Sequence, residues 1–165
     1  MAFETAVQFI RSTLDLAAEE LEIHNTNRFF NRISKDKEQF TREEIEEEIR
    51  NAADFGAERF LIRDGDLSVG VIEYLMKNPN DGQTWLGLLV IRQDLHSRGY
   101  AKAALRKFYG VMREGGVTQF RIGVLENNDP AHAFWTRQGF RRLDGMKQVD
   151  GRNAVVYEKS VPEAH

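Results

Sequence analysis

The sequence His96-Ser97-Arg98-Gly99-Tyr100-Ala101 decides how this chain folds, because it connects a buried strand to a helix. Before it, the uninterrupted apolar run Trp85 to Ile91 predicts the strand. After it, Gly99 to Met112 carries apolar residues at helical spacing, and Gly115-Gly116 ends the pattern. The six residues must therefore turn the chain sharply and leave main-chain N–H groups free at the start of the helix.

A turn of this kind is suited to binding an anion. The N-terminus of a helix carries partial positive charge, and successive amides in a turn form a concave nest, so a diphosphate can bind there without a charged side chain. Gly99 would let a phosphate approach the backbone. The alternative is an ordinary strand-to-helix turn in which Gly99 only relieves crowding, and a short glycine motif alone does not exclude it.

The segments on either side predict a mixed sheet covered by helices. Asp64-Gly65-Asp66 is a hairpin signal between strands over Phe60 to Arg63 and Leu67 to Leu75. Thr41 and Glu44 have the spacing of a capping box, and the helix that follows is expected to keep its acidic residues on a solvated face. Further strands are predicted over Ala6 to Arg11, Phe120 to Leu125 and a final hairpin joined by Asp150-Gly151-Arg152-Asn153, and helices over Asp15 to Ile23, Arg42 to Phe55, Gly99 to Met112 and Asp129 to Gln138.

The composition favours one folded domain over residues 1–165, since 41% of the residues are hydrophobic and 30% are charged. A net charge of -3 disfavours nucleic acid as a partner. The absence of cysteine excludes disulfides and thiolate metal sites, and it is compatible with the cytoplasm. The N-terminus does not resemble a signal peptide, and the longest apolar run is far shorter than the roughly 20 residues of a membrane-spanning helix. We therefore expect no membrane partner, and we expect no metal because no histidine has metal-ligand spacing with another ligand.

Two motifs carry a family resemblance. The stretch 96–101 resembles the Q/R-x-x-G-x-G/A signature of the GNAT superfamily of acyl-CoA N-acyltransferases, with His96 at the Gln/Arg position and Gly99 and Ala101 at the small positions. Asn128 to Phe140 resembles the later N-x-x-A-x-x-x-Y-x-x-x-G-F block of that family. The two motifs occur in the family's order within residues 84–140, which is far more specific than either motif alone.

The resemblance implies an α+β (mixed α/β) GNAT-like fold. Such a fold has a mixed, mostly antiparallel central sheet of about six or seven strands, flanked by about four helices. The two central strands separate in a V-shaped split, and residues 84–140 would form the cofactor-binding core of the single domain.

The resemblance also implies acetyl-CoA as the co-substrate. The amides of His96, Ser97, Arg98, Gly99, Tyr100 and Ala101 would hold the pyrophosphate, and the backbone of Ile91 would pair with the pantetheine arm. Asn128 would hydrogen-bond the pantetheine, and Ala131 and Trp135 would line it. As alternatives, Asn128 is a turn residue and Trp135 a core aromatic residue. Arg98, Lys102 and Arg106 form a basic stripe that either meets the 3′-phosphate or is simply solvated.

The usual proton-transferring residues of the family are missing. Trp135 occupies the position of the acidic Tyr, and Trp85 occupies the position of the Glu that acts as base in some members. Glu126, directly after a predicted strand, and Glu73, on the hairpin, are substitute candidates for catalysis. The alternative for Glu126 is a surface carboxylate ahead of a turn, and the face that Glu73 occupies depends on an unknown strand register.

The function implied by the resemblance is transfer of acetyl from acetyl-CoA to a primary amine of a small molecule, peptide or protein, by direct transfer in a ternary complex. The alternative is a non-catalytic acyl-CoA-binding or sensing module, because both usual acid–base positions are replaced. Nucleic-acid binding through the basic stripe is the weakest hypothesis. The acceptor site is expected in two polar and aromatic loops, His24 to Asn31 and Asn78 to Gln83. A homodimer is a further possible partnership.

Overall fold

A single sheet of seven strands organises the computed structural model, which describes residues 5–164. The strand order is β1-β2-β3-β4-β5-β7-β6, and every neighbouring pair is antiparallel except β4 and β5. This confirms the mixed, mostly antiparallel sheet expected from the sequence. The strands are β1 (Gln8–Arg11), β2 (Glu58–Asp64), β3 (Leu67–Leu75), β4 (Trp85–Ile91), β5 (Gln119–Leu125), β6 (Arg141–Val149) and β7 (Arg152–Ser160).

The described residues contain five α-helices, one more than the sequence predicted. They are α1 (Ala17–Asn25), α2 (Arg28–Lys35), α3 (Arg42–Phe55), α4 (Tyr100–Glu114) and α5 (Asp129–Arg137). None of the helices described within residues 5–164 has the length and apolar character needed to cross a membrane.

The additional helix is α2, so the prediction of a loop over His24 to Asn31 is wrong. Asn31, which suggested a loop, is fully buried, and its Nδ2 donates to the carbonyls of His24 and Glu38. Asn27 precedes the first residue of α2 and is also buried. These polar side chains satisfy backbone groups of the surrounding turns, which is a tertiary role that their residue types do not reveal.

The capping box is confirmed, whereas the last turn and the N-cap of α5, which is Asn128 and not Asp129, differ from the prediction. Thr41 and Glu44 form the reciprocal capping box at the start of α3. The last hairpin is tighter than predicted, because only Asp150 and Gly151 form the turn, with φ of 50° and 77°. Arg152 and Asn153, which were expected in the connection, belong to β7.

Helices cover both faces of the sheet. Against one face, α4 buries Phe108 completely, in edge-on contact with Phe120 of β5. Against the other face, α1 buries Ile23 among Leu61 and Val71. Successive side chains of each strand point to opposite faces of the sheet, so each face has side chains for the helices to pack against.

The two central strands separate as the family resemblance implies. β4 pairs with β5 only at Trp85 and Leu86. Gly87 is an extra residue in β4, since Leu86 and Leu88 lie opposite the consecutive residues Tyr74 and Glu73 of β3. Beyond this bulge β4 continues along β3, while β5 follows β7 to its end. The predicted V-shaped split therefore opens at Gly87.

A buried polar cluster fastens α1 and α3 to the sheet. Arg59 of β2 donates from Nε and Nη2 to Oε1 of Glu20 at 2.9 and 2.8 Å, and from Nη1 to Oε1 of Glu73 at 2.9 Å. The Nε2 atom of His24 lies 3.5 Å from Nη2 of Arg59, and Oε2 of Glu48 lies 3.8 Å from the same nitrogen. We call these five residues the Arg59 cluster. It also fixes the face of Glu73, which points towards the α1 and α3 side.

Folding should be coupled to pH through His24. Burial, followed by the charge of Arg59, lowers the pKa of His24 to about 3. In the unfolded chain this imidazole has a pKa of about 6.5, so between these values only the unfolded state binds the proton. Lowering the pH from about 7.5 to about 5 is therefore expected to remove about 2 kcal/mol of stability through His24.

The measurement is urea unfolding at both pH values for the wild type and for His24→Gln. The variant should lose clearly less stability than the wild type between the two pH values. The raised pKa of Glu48 acts in the opposite direction, and that carboxyl is retained in both proteins. Equal pH dependence in the two proteins would show that His24 is not held neutral by the fold.

Candidate active site

The start of α4 exposes main-chain donors towards a groove. Ser97 and Gly99 both have left-handed backbone angles, with φ of 67° and 87°, separated by one residue. Gly99 is the N-cap and has no side chain to cap the helix, so the first-turn N–H groups of Tyr100, Ala101 and Lys102 have no intrahelical acceptor. A left-handed turn that leads into a free helix N-terminus has the geometry of an anion site.

His96 fastens this turn to the end of β4. Its Nε2 donates to the carbonyl of Ile91 over 2.9 Å, so an imidazole performs a bridging role at the position where the family signature has Gln or Arg. Asn27 donates from Nδ2 to the same carbonyl over 3.0 Å. The strand end, the turn and the start of α2 are thereby held together.

β4 presents unpaired backbone groups to the split. The N–H of Arg92 donates to Val69 of β3, so the alternate residues Leu89 and Ile91 direct their backbone groups to the other side. The carbonyl of Ile91 is bonded to Asn27 and His96. The N–H of Ile91 and both backbone groups of Leu89 face a region in which no strand of residues 5–164 pairs with them. An extended ligand that contains amides fits such an edge.

A groove of about 1530 Å³ follows the split and passes the start of α4. All the cofactor-binding residues that were predicted from the sequence line it, apart from Arg98, which is exposed beside the turn. The residues that it brings together are Ile91, His96, Ser97, Gly99, Tyr100, Ala101, Asn128, Ala131 and Trp135.

The wall opposite β4 is formed by β5 and α5. Asn128 caps α5 by accepting a hydrogen bond from the N–H of Ala131 at 3.3 Å. Trp135 packs edge-on against Phe134 and Phe140 and also lines the groove. Asn128 is thus a capping residue and Trp135 a packed aromatic residue, and both also line the groove.

Neither of the two predicted catalytic carboxylates is among the residues that line the groove. Glu126 is exposed in the turn after β5, where its Oε2 accepts a 3.4 Å hydrogen bond from Asn153. Glu73 is bonded to Arg59. Their catalytic roles remain predictions.

Aromatic residues fill the positions that the family uses for proton transfer. Trp85 is buried, and its indole N–H donates to Asp81 over 2.9 Å.

Two tyrosines of α4, Tyr100 and Tyr109, carry hydroxyl groups close to the cofactor motif or the core. The hydroxyl of Tyr100 donates to Asp64 over 2.6 Å, a bond that raises the pKa of Tyr100. Burial raises the pKa of Tyr109 to about 12, and its hydroxyl accepts a hydrogen bond from Lys159. Both tyrosine hydroxyls are therefore engaged with protein side chains.

The far end of the groove includes residues of His24 to Asn31, the segment in which the acceptor site was expected, together with Phe40 and Glu48, which were not predicted. It is lined by the aromatic rings of Phe29, Phe30 and Phe40 and by two members of the Arg59 cluster, His24 and Glu48. The hairpin of β6 and β7 contributes Val149, the last residue of β6, and Asp150 of the turn, and Asp150 is held against α2 by Lys35 at 2.8 Å. The loop Asn78 to Gln83, expected to carry the acceptor, does not line the groove.

Glu48 departs from the expectation that the acidic residues of α3 face solvent. Its side chain is 36% exposed, yet its Oε2 is buried without a hydrogen-bond partner among the described residues. Burial is the main cause that raises the pKa of Glu48. The sequence contained one indication that Glu48 is partly buried, namely its position in the helix. Glu48 directly precedes Ile49 and follows Ile45 by three residues, so it lies at the border of the apolar stripe. Within residues 5–164, no three histidine or carboxylate side chains are grouped to hold a metal ion.

Known proteins are similar to this chain over the part that contains most of the groove. The chain matches the model of the acetyltransferase (GNAT) family over residues 19–140. No curated protein sequence matches it. Similar solved structures include an acetyltransferase from Thermus thermophilus, which is 22% identical with a TM-score of 0.81, the match covering 96% of this chain and 99% of that chain.

Two further similar structures are those of acetyltransferases of ribosomal protein L7/L12. An acetyl transferase from Salmonella typhimurium that modifies the N-terminal serine of ribosomal protein L7/L12 is 15% identical with a TM-score of 0.78, covering 96% of this chain and 97% of that chain. The L7/L12 alpha-N-protein acetyltransferase RimL in complex with coenzyme A is 14% identical with a TM-score of 0.74, covering 97% of each chain. At these identities the structures show a shared fold. Since the family match spans most of the sequence and includes both motifs and the split, the chain belongs to the GNAT acetyltransferase family.

Proposed function

We propose that this protein is an N-acetyltransferase, which transfers acetyl from acetyl-CoA to a primary amine bound at the same time. The observation that carries the proposal is the continuous groove. It joins the free N-terminus of α4, the unpaired edge of β4 and an end lined by aromatic rings and Glu48.

The residues along the first half of the groove fit coenzyme A. The amides of Ser97, Gly99, Tyr100 and Ala101 would hold the pyrophosphate, and exposed Arg98 would add positive charge beside it. The N–H of Ile91 and the backbone of Leu89 would pair with the pantetheine amides, since the carbonyl of Ile91 is bonded to His96 and Asn27. The opposite wall would be Asn128, Ala131 and Trp135.

Bound acetyl-CoA supplies an acetyl thioester, and the protein aligns an amine with it. Holding two reactants in the right geometry contributes much of the rate enhancement of such reactions. The aromatic rings of Phe29, Phe30 and Phe40 give the acceptor end an apolar lining. Glu126 and Glu73 remain the candidate catalytic residues that the sequence predicts, Glu126 acting directly or through water, and neither is among the residues that line the groove.

A non-catalytic acyl-CoA-binding module is the second candidate. It is favoured by Trp85 and Trp135, which occupy both of the usual acid–base positions. Trp85 is moreover fixed in the core by Asp81, and Lys147 lies 4.0 Å from the centre of its ring. Binding of CoA without turnover would distinguish this function from acetyl transfer.

The domain organisation, cellular location and partners of the protein remain predictions. A single domain over residues 1–165, a cytoplasmic location and a homodimer remain expectations, as does the absence of a nucleic-acid, membrane or metal partner. The Salmonella relative modifies an N-terminal serine, so peptides with a free N-terminus belong among the amines to be tested.

Replacing Gly99 with valine should weaken coenzyme A binding. Gly99 has a φ of 87°, which a β-branched residue adopts only under strain, so the turn that presents the amides must change. Calorimetry with CoA should show a dissociation constant raised by at least about tenfold, equivalent to about 1.4 kcal/mol.

Gly116→Val is the matched control for Gly99→Val. Gly116 has a φ of 74° and open space around an added Cβ, but it lies beyond the opposite end of α4. The control should bind CoA like the wild type. Unchanged affinity in Gly99→Val, or equal losses in both variants, would contradict the proposed pyrophosphate site.

Acetyl transfer is tested with purified protein, acetyl-CoA and a panel of amines. The panel should contain alkylamines, arylalkylamines, polyamines and peptides with a free N-terminus. At least one amine should raise the release of free CoA above background hydrolysis, with mass spectrometry detecting the acetylated amine. Tight CoA binding without any acetylated product would favour the binding module instead.

A further inference from the structure

The Arg59 cluster lies directly behind the point where the sheet splits. Arg59, Glu73 and Leu88 are cross-strand neighbours in β2, β3 and β4, so they share one row of the sheet. Leu88 follows the bulge residue Gly87, at which β4 leaves β5. Glu48 reaches this row from α3, with its Oε2 3.8 Å from Arg59. A groove-lining carboxylate is thereby placed on the acceptor side of the split.

The cluster holds more negative than positive charge. Three carboxylates, those of Glu20, Glu48 and Glu73, surround the guanidinium of Arg59. His24 does not add positive charge near neutral pH, because its pKa is lowered to about 3. Buried carboxylates require a partner, since unpaired burial of a charge is costly.

Glu48 is the carboxylate that Arg59 leaves without a hydrogen bond. Glu20 accepts two bonds from Arg59 and Glu73 accepts one, whereas Oε2 of Glu48 is buried and, among the described residues, has no donor. Lys35 lines the same groove, but its ammonium is bonded to Asp150 at 2.8 Å. Oε2 itself has almost no accessible surface, so a donor in the groove would meet Glu48 at the exposed part of its side chain.

We propose that Glu48 binds the ammonium group of the acceptor and takes its proton, so that it selects a cationic amine and prepares it for attack. This proposal rests on the acetyl-transfer function proposed above. An ammonium supplies three donors and one positive charge, which match a groove-lining carboxylate and the excess negative charge of the cluster. The neighbouring rings would cover the carbon chain next to the amine.

The protons and bonds balance in this scheme. The bound ammonium gives one proton to the carboxylate of Glu48, which leaves a neutral amine and a carboxylic acid. The amine nitrogen then forms a bond to the acetyl carbon, the bond between that carbon and sulfur breaks, and the second nitrogen-bound proton goes to the sulfur. Glu48 afterwards releases its proton to solvent through its exposed part.

The surroundings of Glu48 suit a proton acceptor. Burial raises its pKa, and the negative charges of Glu73 from β3 and Glu20 from α1 act in the same direction. Arg59 from β2 and Lys35 from α2 act against the rise, and His24 from α1 is neutral. A carboxyl whose pKa is raised is a stronger base than an ordinary glutamate, and general acid–base catalysis is most effective when the pKa is near the working pH.

The test compares Glu48→Gln with Glu47→Gln. Glu47 is the adjacent residue of α3 and is exposed, so both variants lose one carboxylate from the same helix. With an amine that the wild type acetylates, Glu48→Gln should lower kcat/KM for the amine by about 100-fold. It should also remove the acidic limb of the pH profile of kcat/KM. Affinity for CoA should stay within about twofold of the wild type.

The control should keep the wild-type kinetics and pH profile. Thermal unfolding of both variants identifies a loss that is due to misfolding. A measurement that needs no variant is carbon-13 NMR of the Glu48 carboxyl in the wild-type complex with CoA, where an added amine should shift the resonance and lower the pKa. An unmoved Glu48 resonance, or equal kcat/KM values in the two variants, would overturn the proposal.

The outcomes separate the two proposals. An amine that both variants acetylate equally removes the role of Glu48 and leaves acetyl transfer in place. If CoA binds but no amine is acetylated, the acetyl-transfer proposal fails, and calorimetry of the same amines with the CoA complex decides the role of Glu48. Weaker amine binding by Glu48→Gln than by Glu47→Gln would support ammonium recognition, whereas equal binding, or no binding at all, would overturn it.

Discussion

The separation of β4 from β5 is the constraint on which the rest of the site depends. The two strands are parallel partners at Trp85 and Leu86, and the bulge at Gly87 then turns β4 away. Buried backbone groups need hydrogen-bond partners, so a strand edge opened inside a protein is stable only when solvent or a ligand reaches it. The same divergence places the start of α4 at one end of the groove and α5 along its other wall.

The Arg59 cluster gives the acceptor end a different physical character. One guanidinium lies there among three carboxylates. Such a cluster contributes little to stability unless each charged group is hydrogen-bonded. Glu20 and Glu73 are bonded and fasten α1 and the sheet together. Oε2 of Glu48 is not, and Glu48 is the carboxylate of the cluster that lines the groove. Structural fastening and substrate recognition are thus divided among residues of one cluster.

Membership of the GNAT family does not by itself identify the residues that move protons in this protein. Indole rings occupy both of the usual positions, and indole nitrogens neither accept nor readily release a proton. Assignment of that task to Glu48 moves it from β4 and α5, which carry the two usual positions, to α3. The amine would then be selected and deprotonated by the same carboxylate.

The sequence by itself determined the features whose causes are local. The capping box of α3, the hairpin at Asp64-Gly65-Asp66 and the strand, turn and helix around Gly99 each depend on residues a few positions apart, and the two family motifs lie within one continuous segment. Tertiary structure alone decided that α2 is a helix and that Glu48 lines a groove. Asn27 bonds Ile91 from 64 residues away, and Arg59 bonds Glu20 from 39 residues away. The partner of a buried polar side chain is set by how distant elements pack, so its residue type resembles that of a loop or a solvated surface until the fold is known.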